Sequence, residues 1–337
     1  MTDPDAGPRS RRLGRRRFLS IAAAAAGCAL LPGSSGAVAP IQVWRGAALG
    51  ARASIRIADP DRGRARRMIA RAVAEIARLE RIFSLYDPAS ALSALNRDGR
   101  LADPPLELLE LLSQAAEISA LTDGAFDVTV QPLWRRYAEH FASAPKDGGA
   151  PRLDDVLPLV DWRQLALAPD LIAFGRAGMA ATLNGIAQGF VTDRVAELLR
   201  REGLGSLLLD LGELRALGRH PEGRAWRVGI EDPAKRGRIA GRLALEDRAL
   251  ASSGGRSLPF DPAGRFSHLI DPRTGRTAPG ARGITVAAES ATRADAVSTA
   301  FSLMPVPEIA RRLAAQPGLR AWLVADFALR EIHPPQR

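Results

Sequence analysis

Leu183-Asn-Gly-Ile-Ala-Gln-Gly-Phe-Val-Thr-Asp193 joins an apolar run to an amphipathic run, with two glycines in the turn between them. The apolar run, residues 179–183, predicts a strand, and the amphipathic run, residues 191–199, predicts a helix. A strand that ends in a glycine-rich turn and opens a helix leaves several backbone N–H groups pointing at one place, which favours an anion such as phosphate. Close packing at a helix start also uses glycines, and because two glycines four apart are common, the spacing alone favours this second interpretation.

Composition indicates a large globular unit. The 337 residues are 46% hydrophobic and 25% charged, which suits a chain with a substantial core. The net charge is +10, and all but two of the 47 basic residues are arginine. After the first 39 residues no basic block carries interleaved aromatic residues, so we expect no nucleic-acid partner.

The N-terminus has the features of an export signal. Arg15-Arg16-Arg17-Phe18-Leu19 precedes an alanine-rich apolar run, residues 21–31, which is too short to span a bilayer. Adjacent arginines followed by Xaa-Phe-Leu resemble a twin-arginine signal, although Gly14 stands where Ser or Thr is usual. We expect residues 1–39 to be a signal peptide and residues 40–337 to be one periplasmic domain with no stable membrane span. A retained N-terminal anchor is the alternative.

The single cysteine limits the possible chemistry. Cys28 lies inside the predicted leader, so the mature chain has no thiol. Disulfides, cysteine metal sites and thiol nucleophiles are therefore excluded.

Hydrophobic periodicity predicts the elements around the opening stretch. Helices are expected over residues 61–83, 106–122, 194–202, 297–304 and 309–314. Strands are expected over residues 43–57 (one strand with a bend), 160–162, 165–174, 207–211, 226–233, 243–245 paired with 249–253, 284–288 and 321–324. Residues 138–151 are expected to form a surface loop, and the end of the chain a tail. We predict an α+β fold, with mixed or antiparallel sheets flanked by helices, that forms a single catalytic unit.

The opening stretch resembles the central signature of the FAD:protein FMN transferases, the ApbE family. That signature usually reads Asp-(Ser/Gly)-Gly-Ile-Ala-Lys-Gly-Tyr-(Ala/Thr)-Val-Asp-Arg. Further matches follow in the family's order and cover nearly all of the chain after the leader. They are Leu49-Gly-Ala51, Phe83-Ser-Leu-Tyr86, Ser90-Ala-Leu-Ser-Ala-Leu-Asn96, Gly124-Ala-Phe-Asp-Val-Thr-Val-Gln-Pro-Leu133, Trp226-Arg-Val-Gly-Ile-Glu-Asp-Pro233, Ala251-Ser-Ser-Gly254, His268-Leu-Ile-Asp-Pro-Arg-Thr-Gly275 and Ala294-Asp-Ala-Val-Ser-Thr-Ala300.

The resemblance implies that FAD is a substrate. It places the turn 184–189 around the phosphates, Tyr86 near the flavin and residues 125–127 against the adenine half. Asp127 can accept a hydrogen bond from an exocyclic amine or a ribose hydroxyl; the alternative is that it caps neighbouring N–H groups. The implied FAD contacts are Leu49, Tyr86, Ala125, Phe126, Asp127, Asn184, Gln188, Phe190, Leu269 and Ile270.

A second motif suggests a metal site. Asp295 and Thr299 are four residues apart, so a helix here would place both side chains on one face. Carboxylate, hydroxyl and carbonyl oxygens are the ligands that suit Mg²⁺. By the resemblance, Asp295 and Thr299 are Mg²⁺ ligands with Ser298 beside them, and the carbonyl of Ala187 is a third protein ligand. The alternative is that Asp295 caps the N-terminus of the helix.

The resemblance implies transfer of FMN from FAD to a Ser or Thr hydroxyl of an acceptor protein, with release of AMP. A metal that bridges phosphate oxygens would neutralise the pyrophosphate and stabilise the departing AMP. His268 or Asp271 would lie near the attacking hydroxyl, and the choice of general base stays open. The alternatives are an FAD-binding accessory protein for assembly of a redox complex, and hydrolysis of FAD to FMN and AMP.

Three positions depart from the family pattern. Gln188 replaces the lysine and removes a positive charge beside the phosphates, while Asn184 replaces Asp or Ser. Glu213 follows one glycine where the family has two. Arg194 and Arg293 flank the two central motifs and are candidates to supply the missing charge.

Overall fold

The computed structural model describes residues 38–143, 148–255, 259–278, 280 and 282–335. The arginine pair and Cys28 of the predicted leader lie outside these residues. The helices are α1 (Arg62–Phe83), α2 (Ala91–Asp98), α3 (Leu106–Leu121), α4 (Gln131–Ser143), α5 (Ala187–Arg201), α6 (Ala291–Ser302) and α7 (Val306–Ala314). Within the described ranges, no helix combines the length and the apolar character that a membrane span needs.

In the described part of the chain, three antiparallel sheets hold the strands. The largest has eight strands in the order β1-β2-β6-β7-β10-β11-β12-β13; a second has the order β3-β5-β4, and β8 pairs with β9. The strands are β1 (Ile41–Ala48), β2 (Ala51–Ala58), β3 (Arg100–Ala102), β4 (Leu165–Ala168), β5 (Leu171–Phe174), β6 (Leu207–Asp210), β7 (Leu214–Leu217), β8 (Trp226–Asp232), β9 (Lys235–Leu245), β10 (Ala249–Gly254), β11 (Gly283–Ala288), β12 (Arg320–Ala325) and β13 (Ala328–Ile332). The predicted α+β fold is confirmed, and its sheets are antiparallel.

Both faces of the central strands of the eight-stranded sheet are buried. Side chains alternate along a strand, so Leu207 and Leu209 of β6 belong to the main core with α1, α5 and α6. Leu208 faces the other way, into a second core formed with Trp226 and Val228 of the β8–β9 hairpin. This double burial explains why β6 is almost uninterrupted leucine.

Local signals set the long helices as predicted. The Asp61 carboxylate accepts hydrogen bonds from the N–H groups of Gly63 and Arg64 and so begins α1. The helices expected over 106–122 and 194–202 are α3 and the C-terminal part of α5, and Gly203 ends α5 with a φ of 78°. The strands expected over 207–211, 284–288 and 321–324 are β6, β11 and β12.

The helices α5 and α6 approach each other unusually closely. A Cβ on Gly189 would lie 2.3 Å from the carbonyl oxygen of Ala291, so only glycine fits at this crossing. One turn later, the Asp193 carboxylate accepts hydrogen bonds from the N–H groups of Ala291 and Thr292, each at 2.8 Å. These contacts fix the start of α6 against α5.

The single bent strand expected over 43–57 is wrong, because this segment is a hairpin of β1 and β2. Leu49 and Gly50 form its turn with φ values of 48° and 78°. Two successive left-handed residues are what a tight hairpin with the normal strand twist requires. Leucine is an unusual residue there, and its N–H group donates to the Glu80 carboxylate on α1.

The strand expected over residues 179–183 is also wrong. The segment is buried but has no ladder partner. The Asn96 side chain takes the place of a neighbouring strand: its Oδ1 accepts from Ala181 N–H at 2.6 Å and its Nδ2 donates to the Ala181 carbonyl at 2.8 Å. Thr182 N–H donates to the carbonyl of Val128 at 2.8 Å, so the buried backbone is satisfied without a sheet.

Four further expectations need correction. Residues 243–245 belong to β9, which pairs with β8, whereas β10 pairs with β7 and β11 in the large sheet. The helix α4 extends to Ser143 into the expected loop 138–151, and Pro132 near its start needs no N–H partner. Trp162 begins a short 3-10 helix in place of a strand. The expected tail contains β13, which pairs with β12.

We predict that Gly189→Ala destabilises the protein, because its methyl group would meet the backbone of α6. The clash should outweigh the roughly 1 kcal/mol gain in helix propensity and leave a net loss of at least about 1 kcal/mol. Urea unfolding measures this loss. Gly205→Ala is the control, since a Cβ there meets no atom within 4 Å. Equal unfolding midpoints for the two variants would contradict the close contact.

Candidate active site

The start of α5, the first turns of α6 and the end of β10 meet at one place. Asp295 lies on α6 with its Oδ2 accepting from Gly189 N–H at 3.1 Å. A Cβ on Gly185 would lie 3.1 Å from Thr299 Oγ1, so the turn before α5 faces the same side of α6. The structure therefore brings the two sequence motifs together. We call this junction of residues 185–189 with Asp295, Ser298 and Thr299 the α5–α6 centre.

Asp295 does not cap α6, which corrects the alternative interpretation of this residue. The N-cap is Ser290, whose hydroxyl accepts from Arg293 N–H at 3.1 Å. Asp295 lies one turn further into the helix and is buried. Its carboxylate is thus available to the α5–α6 centre.

Glu213 lies close enough to the carboxyl groups of Asp295 and Asp210 for both to raise its pKa. Burial raises the pKa of Asp295 to about 7, although the hydrogen bond from Gly189 opposes the shift. Burial raises the pKa of Glu213 well above its usual value, and Asp295 and Asp210 raise it further. Burial also raises the pKa of Asp210 to about 6, with Arg56 opposing. Among the described residues, no cationic side chain is a cause of the pKa shift of Asp295 or Glu213.

This environment fits a divalent cation. Ionised carboxylates out of water are costly unless a positive charge accompanies them. Oε2 of Glu213 is buried without a hydrogen-bond partner among the described residues. The α5–α6 centre offers two possible metal ligands, the Asp295 carboxylate and the Thr299 hydroxyl. Both are hard oxygen ligands of the kind that Mg²⁺ prefers. Ala187, whose carbonyl is the predicted third ligand, is the first residue of α5.

Gln188, which replaces the family's lysine, lies against Gly212, the single glycine that stands where the family has two. The Gln188 amide packs against Gly212, where a Cβ would lie 2.4 Å from Gln188 Nε2. That Nε2 is buried and has no hydrogen-bond partner in the described part of the chain. The candidate replacements for the missing charge are engaged elsewhere, since Arg194 pairs with Glu110 and Arg293 donates to Gln316 at 2.5 Å. The hypothesis of a compensating arginine is therefore not supported.

Residues 125–127 lie beside the α5–α6 centre. A Cβ on Gly185 would be 3.4 Å from the Phe126 ring, and both Ala125 and Phe126 are buried. Asp127 accepts from the N–H and hydroxyl of Thr129, each at 2.7 Å, and from Trp162 N–H at 2.9 Å. Burial raises its pKa, and these hydrogen bonds oppose the rise. Asp127 thus caps its own loop, and its contact with FAD stays a prediction.

The other predicted FAD contacts have varied surroundings. Tyr86 is 66% exposed and lines a cavity of about 360 Å³ together with Asn96 and Arg135. Asn184 is exposed in the turn before α5, and Leu49 lies at the tip of the β1–β2 hairpin. Phe190 is buried and packs edge-on against Phe83, so the structure gives its ring a role in the core.

The predicted catalytic motif forms a turn next to residues 125–127. Arg273 donates to both carboxylate oxygens of Asp271 at 2.9 Å, so Asp271 can act as a base only if this ion pair opens. The side chain of Arg273 also reaches Gly124, with 3.8 Å between its Cγ and a Cβ built there. Leu269 and Ile270 are buried and His268 is half-buried. The roles of His268 and Asp271 stay predictions.

A cavity of about 570 Å³ lies elsewhere, between α3, α5 and β7. Its lining includes Arg194 and Arg215. Of the predicted FAD and metal ligands, it includes Phe190 alone. The α5–α6 centre has the stronger chemical case, because it combines helix N–H groups with buried oxygen ligands.

Sequence reasoning assigned no role to three residues that shape the centre. Asp193 holds α6 in place, Glu213 adds a buried carboxyl group, and Ser253 on β10 places its hydroxyl 2.7 Å from that of Ser298. A signal for Ser253 existed, because alternation along β10 puts Ala251 and Ser253 on one face of the sheet. No local signal indicates the partners of Asp193, which lie about a hundred residues away in the sequence.

Comparison with known proteins indicates the family of the chain. Residues 49–323 match the ApbE family model. The FAD:protein FMN transferase of Treponema pallidum is 30% identical over 269 residues, which are 73% of each chain. That of Salmonella typhimurium is 26% identical over 314 residues, or 88% of each chain.

Solved structures share the fold. The flavinyl transferase ApbE of Pseudomonas stutzeri, in its apo form, is 25% identical with a TM-score of 0.73, covering 88% of this chain and 97% of that one. The ApbE protein of Thermotoga maritima has a TM-score of 0.75 at 24% identity, covering 87% and 97%, and shows the fold alone. With the family match spanning most of its length, the chain belongs to the ApbE family and is a transferase.

Proposed function

We propose that this enzyme transfers FMN from FAD to a Ser or Thr hydroxyl of an acceptor flavoprotein, with Mg²⁺ bound and AMP released. The observation that carries the proposal is the α5–α6 centre. There, the N–H group of Gly189 in the first turn of α5 donates to the buried carboxylate of Asp295, and Gly185 before α5 lies beside the hydroxyl of Thr299. A pyrophosphate needs both kinds of group, because helix N–H groups bind its oxygens and a cation balances its charge. The relatives named FAD:protein FMN transferase support the same activity.

Asp295, Thr299 and the Ala187 carbonyl would hold the Mg²⁺, with Ser298 beside them. The bound cation would supply charge neutralisation at the pyrophosphate. The residues of the chain do the remaining work. The turn 184–189 binds phosphate oxygens and orients the scissile bond, and residues 125–127 with Tyr86 hold the two ends of FAD.

In the proposed reaction the acceptor hydroxyl oxygen forms a bond to the phosphorus on the flavin side. The bond from that phosphorus to the bridging oxygen breaks, and AMP leaves with the electron pair. The hydroxyl proton passes to a base, His268 or Asp271. Asp271 would first have to leave its ion pair with Arg273.

One observation favours the second candidate, an FAD-binding accessory protein without transfer. Gln188 contributes no positive charge, and neither Arg194 nor Arg293 is placed to replace it. The buried carboxyl groups of Asp295 and Glu213 favour transfer, because a protein that only binds FAD gains nothing from keeping them out of water. Hydrolysis of FAD would use the same centre with water as the acceptor.

We also propose that the chain acts in the periplasm after export through the Arg15–Arg16 signal. The absence of a thiol after the leader is compatible with an oxidising compartment. Cell fractionation tests the location.

We predict that Asp295→Ala abolishes Mg²⁺-dependent transfer, with a loss of at least about a hundredfold, because it removes the charged ligand. The measurement is the intact mass of a candidate acceptor after incubation with FAD and Mg²⁺, which rises by one FMN moiety per transfer. Asp154→Ala, which removes a carboxylate that is 84% exposed, is the control. An Asp295→Ala variant that transfers at the wild-type rate would rule out Asp295 as a ligand.

We predict that Gln188→Lys binds FAD more tightly or transfers FMN faster than the wild type. A charge-assisted contact contributes roughly 1.5–3 kcal/mol, or about ten- to a hundredfold. Calorimetric FAD affinity and transfer rate are the measurements. Gln42→Lys on β1 adds the same charge away from the centre and should change neither. No gain in Gln188→Lys would show that the missing charge does not limit this enzyme.

A further inference from the structure

Three hydroxyl groups form a chain between β10 and α6. Ser298 Oγ donates a hydrogen bond to the backbone carbonyl of Asp295 at 2.9 Å. Ser253 Oγ lies 2.7 Å from Ser298 Oγ and 3.4 Å from Thr299 Oγ1. The chain thus runs from Thr299, a predicted metal ligand, through Ser253 and Ser298 to the carbonyl of Asp295.

The number of protons gives this chain a direction. Each hydroxyl group carries one proton and two lone pairs. Because Ser298 donates its only hydroxyl proton to the Asp295 carbonyl, Ser253 must be the donor in the contact with Ser298. The proton of Ser253 is then used, so Ser253 can only accept from Thr299. The hydroxyl proton of Thr299 therefore points towards β10.

A hydroxyl group that binds a cation must turn a lone pair towards it and its proton away. Ser253 provides the acceptor that holds the Thr299 proton away from the α5–α6 centre. The distance of 3.4 Å between Ser253 Oγ and Thr299 Oγ1 is longer than an ordinary O–H···O hydrogen bond. A small movement of Thr299 when a cation binds would shorten it. From this geometry we infer that Ser253 is a positioning residue that orients the Thr299 hydroxyl for a divalent cation. The inference rests on the proposed function.

The residue before Ser253 on β10 provides a closely matched control for a substitution of Ser253. Ser252 also lies on β10, but its hydroxyl bonds to that of Thr285 on β11 at 2.8 Å. Ser252→Ala and Ser253→Ala therefore each remove one hydroxyl from the same strand. Only the second removes a contact to the α5–α6 centre. Ser253→Thr keeps the hydroxyl and suits a strand position.

The experiment titrates Mn²⁺ into the full-length protein saturated with FAD and measures free Mn²⁺ by electron paramagnetic resonance. We expect Ser253→Ala to weaken Mn²⁺ binding by about three- to tenfold, the range of one hydrogen bond. Ser252→Ala and Ser253→Thr should bind Mn²⁺ like the wild type. In FMN transfer, Ser253→Ala should raise the Mg²⁺ concentration for half-maximal rate and leave the rate at saturating Mg²⁺ within about twofold.

Equal Mn²⁺ affinity in Ser253→Ala and the wild type would overturn the role of Ser253 and leave the proposed function standing. An equal loss in Ser252→Ala, or no recovery in Ser253→Thr at unchanged thermal stability, would overturn it too. If the wild type retains no Mn²⁺ with FAD present, the metal-dependent function and the role of Ser253 are both wrong.

Discussion

The contact between α5 and α6 is the constraint on which the site depends. It requires glycine at position 189, because the carbonyl of Ala291 occupies the space of a side chain. The Asp193 carboxylate then binds two N–H groups at the start of α6, where a negative charge is favoured by the helix dipole. Arg282 donates to the carbonyls of Ser302 and Met304 at the other end. With both ends of α6 held, Asp295 and Thr299 have fixed positions relative to the turn before α5.

The fixed geometry has a cost in stability. Asp295, Glu213 and Asp210 are removed from water close to one another, and burial raises the pKa of all three. At neutral pH the folded protein must either keep protons on Asp295 and Glu213 or carry negative charge there out of water, and both choices cost stability. Binding of a divalent cation would relieve that cost. The buried carboxyl groups would thus favour the binding of a cation.

The sequence predicts an element correctly where the interactions that determine it come from residues nearby in the chain. Asp61 begins α1 through its own next turn, and periodicity marks α3, α5 and β6. It failed where the deciding partner is remote. Residues 179–183 have the composition of a strand, but the Asn96 side chain supplies the hydrogen bonds that a neighbouring strand would give. The β1–β2 turn was missed because Leu49 is not a residue type that favours positive φ. The site residues came from family motifs, whereas Asp193, Glu213 and Ser253 acquire their roles only from tertiary contacts.

The central claim is that the α5–α6 centre holds a divalent cation beside the pyrophosphate of FAD. Anomalous scattering from crystals grown with Mn²⁺ and FAD tests it most directly, because it locates the ion without reference to activity. We expect an anomalous peak within about 2.5 Å of an Asp295 carboxylate oxygen and of Thr299 Oγ1, next to FAD phosphate oxygens. A peak at another place, or bound FAD with no peak beside Asp295, would contradict the account.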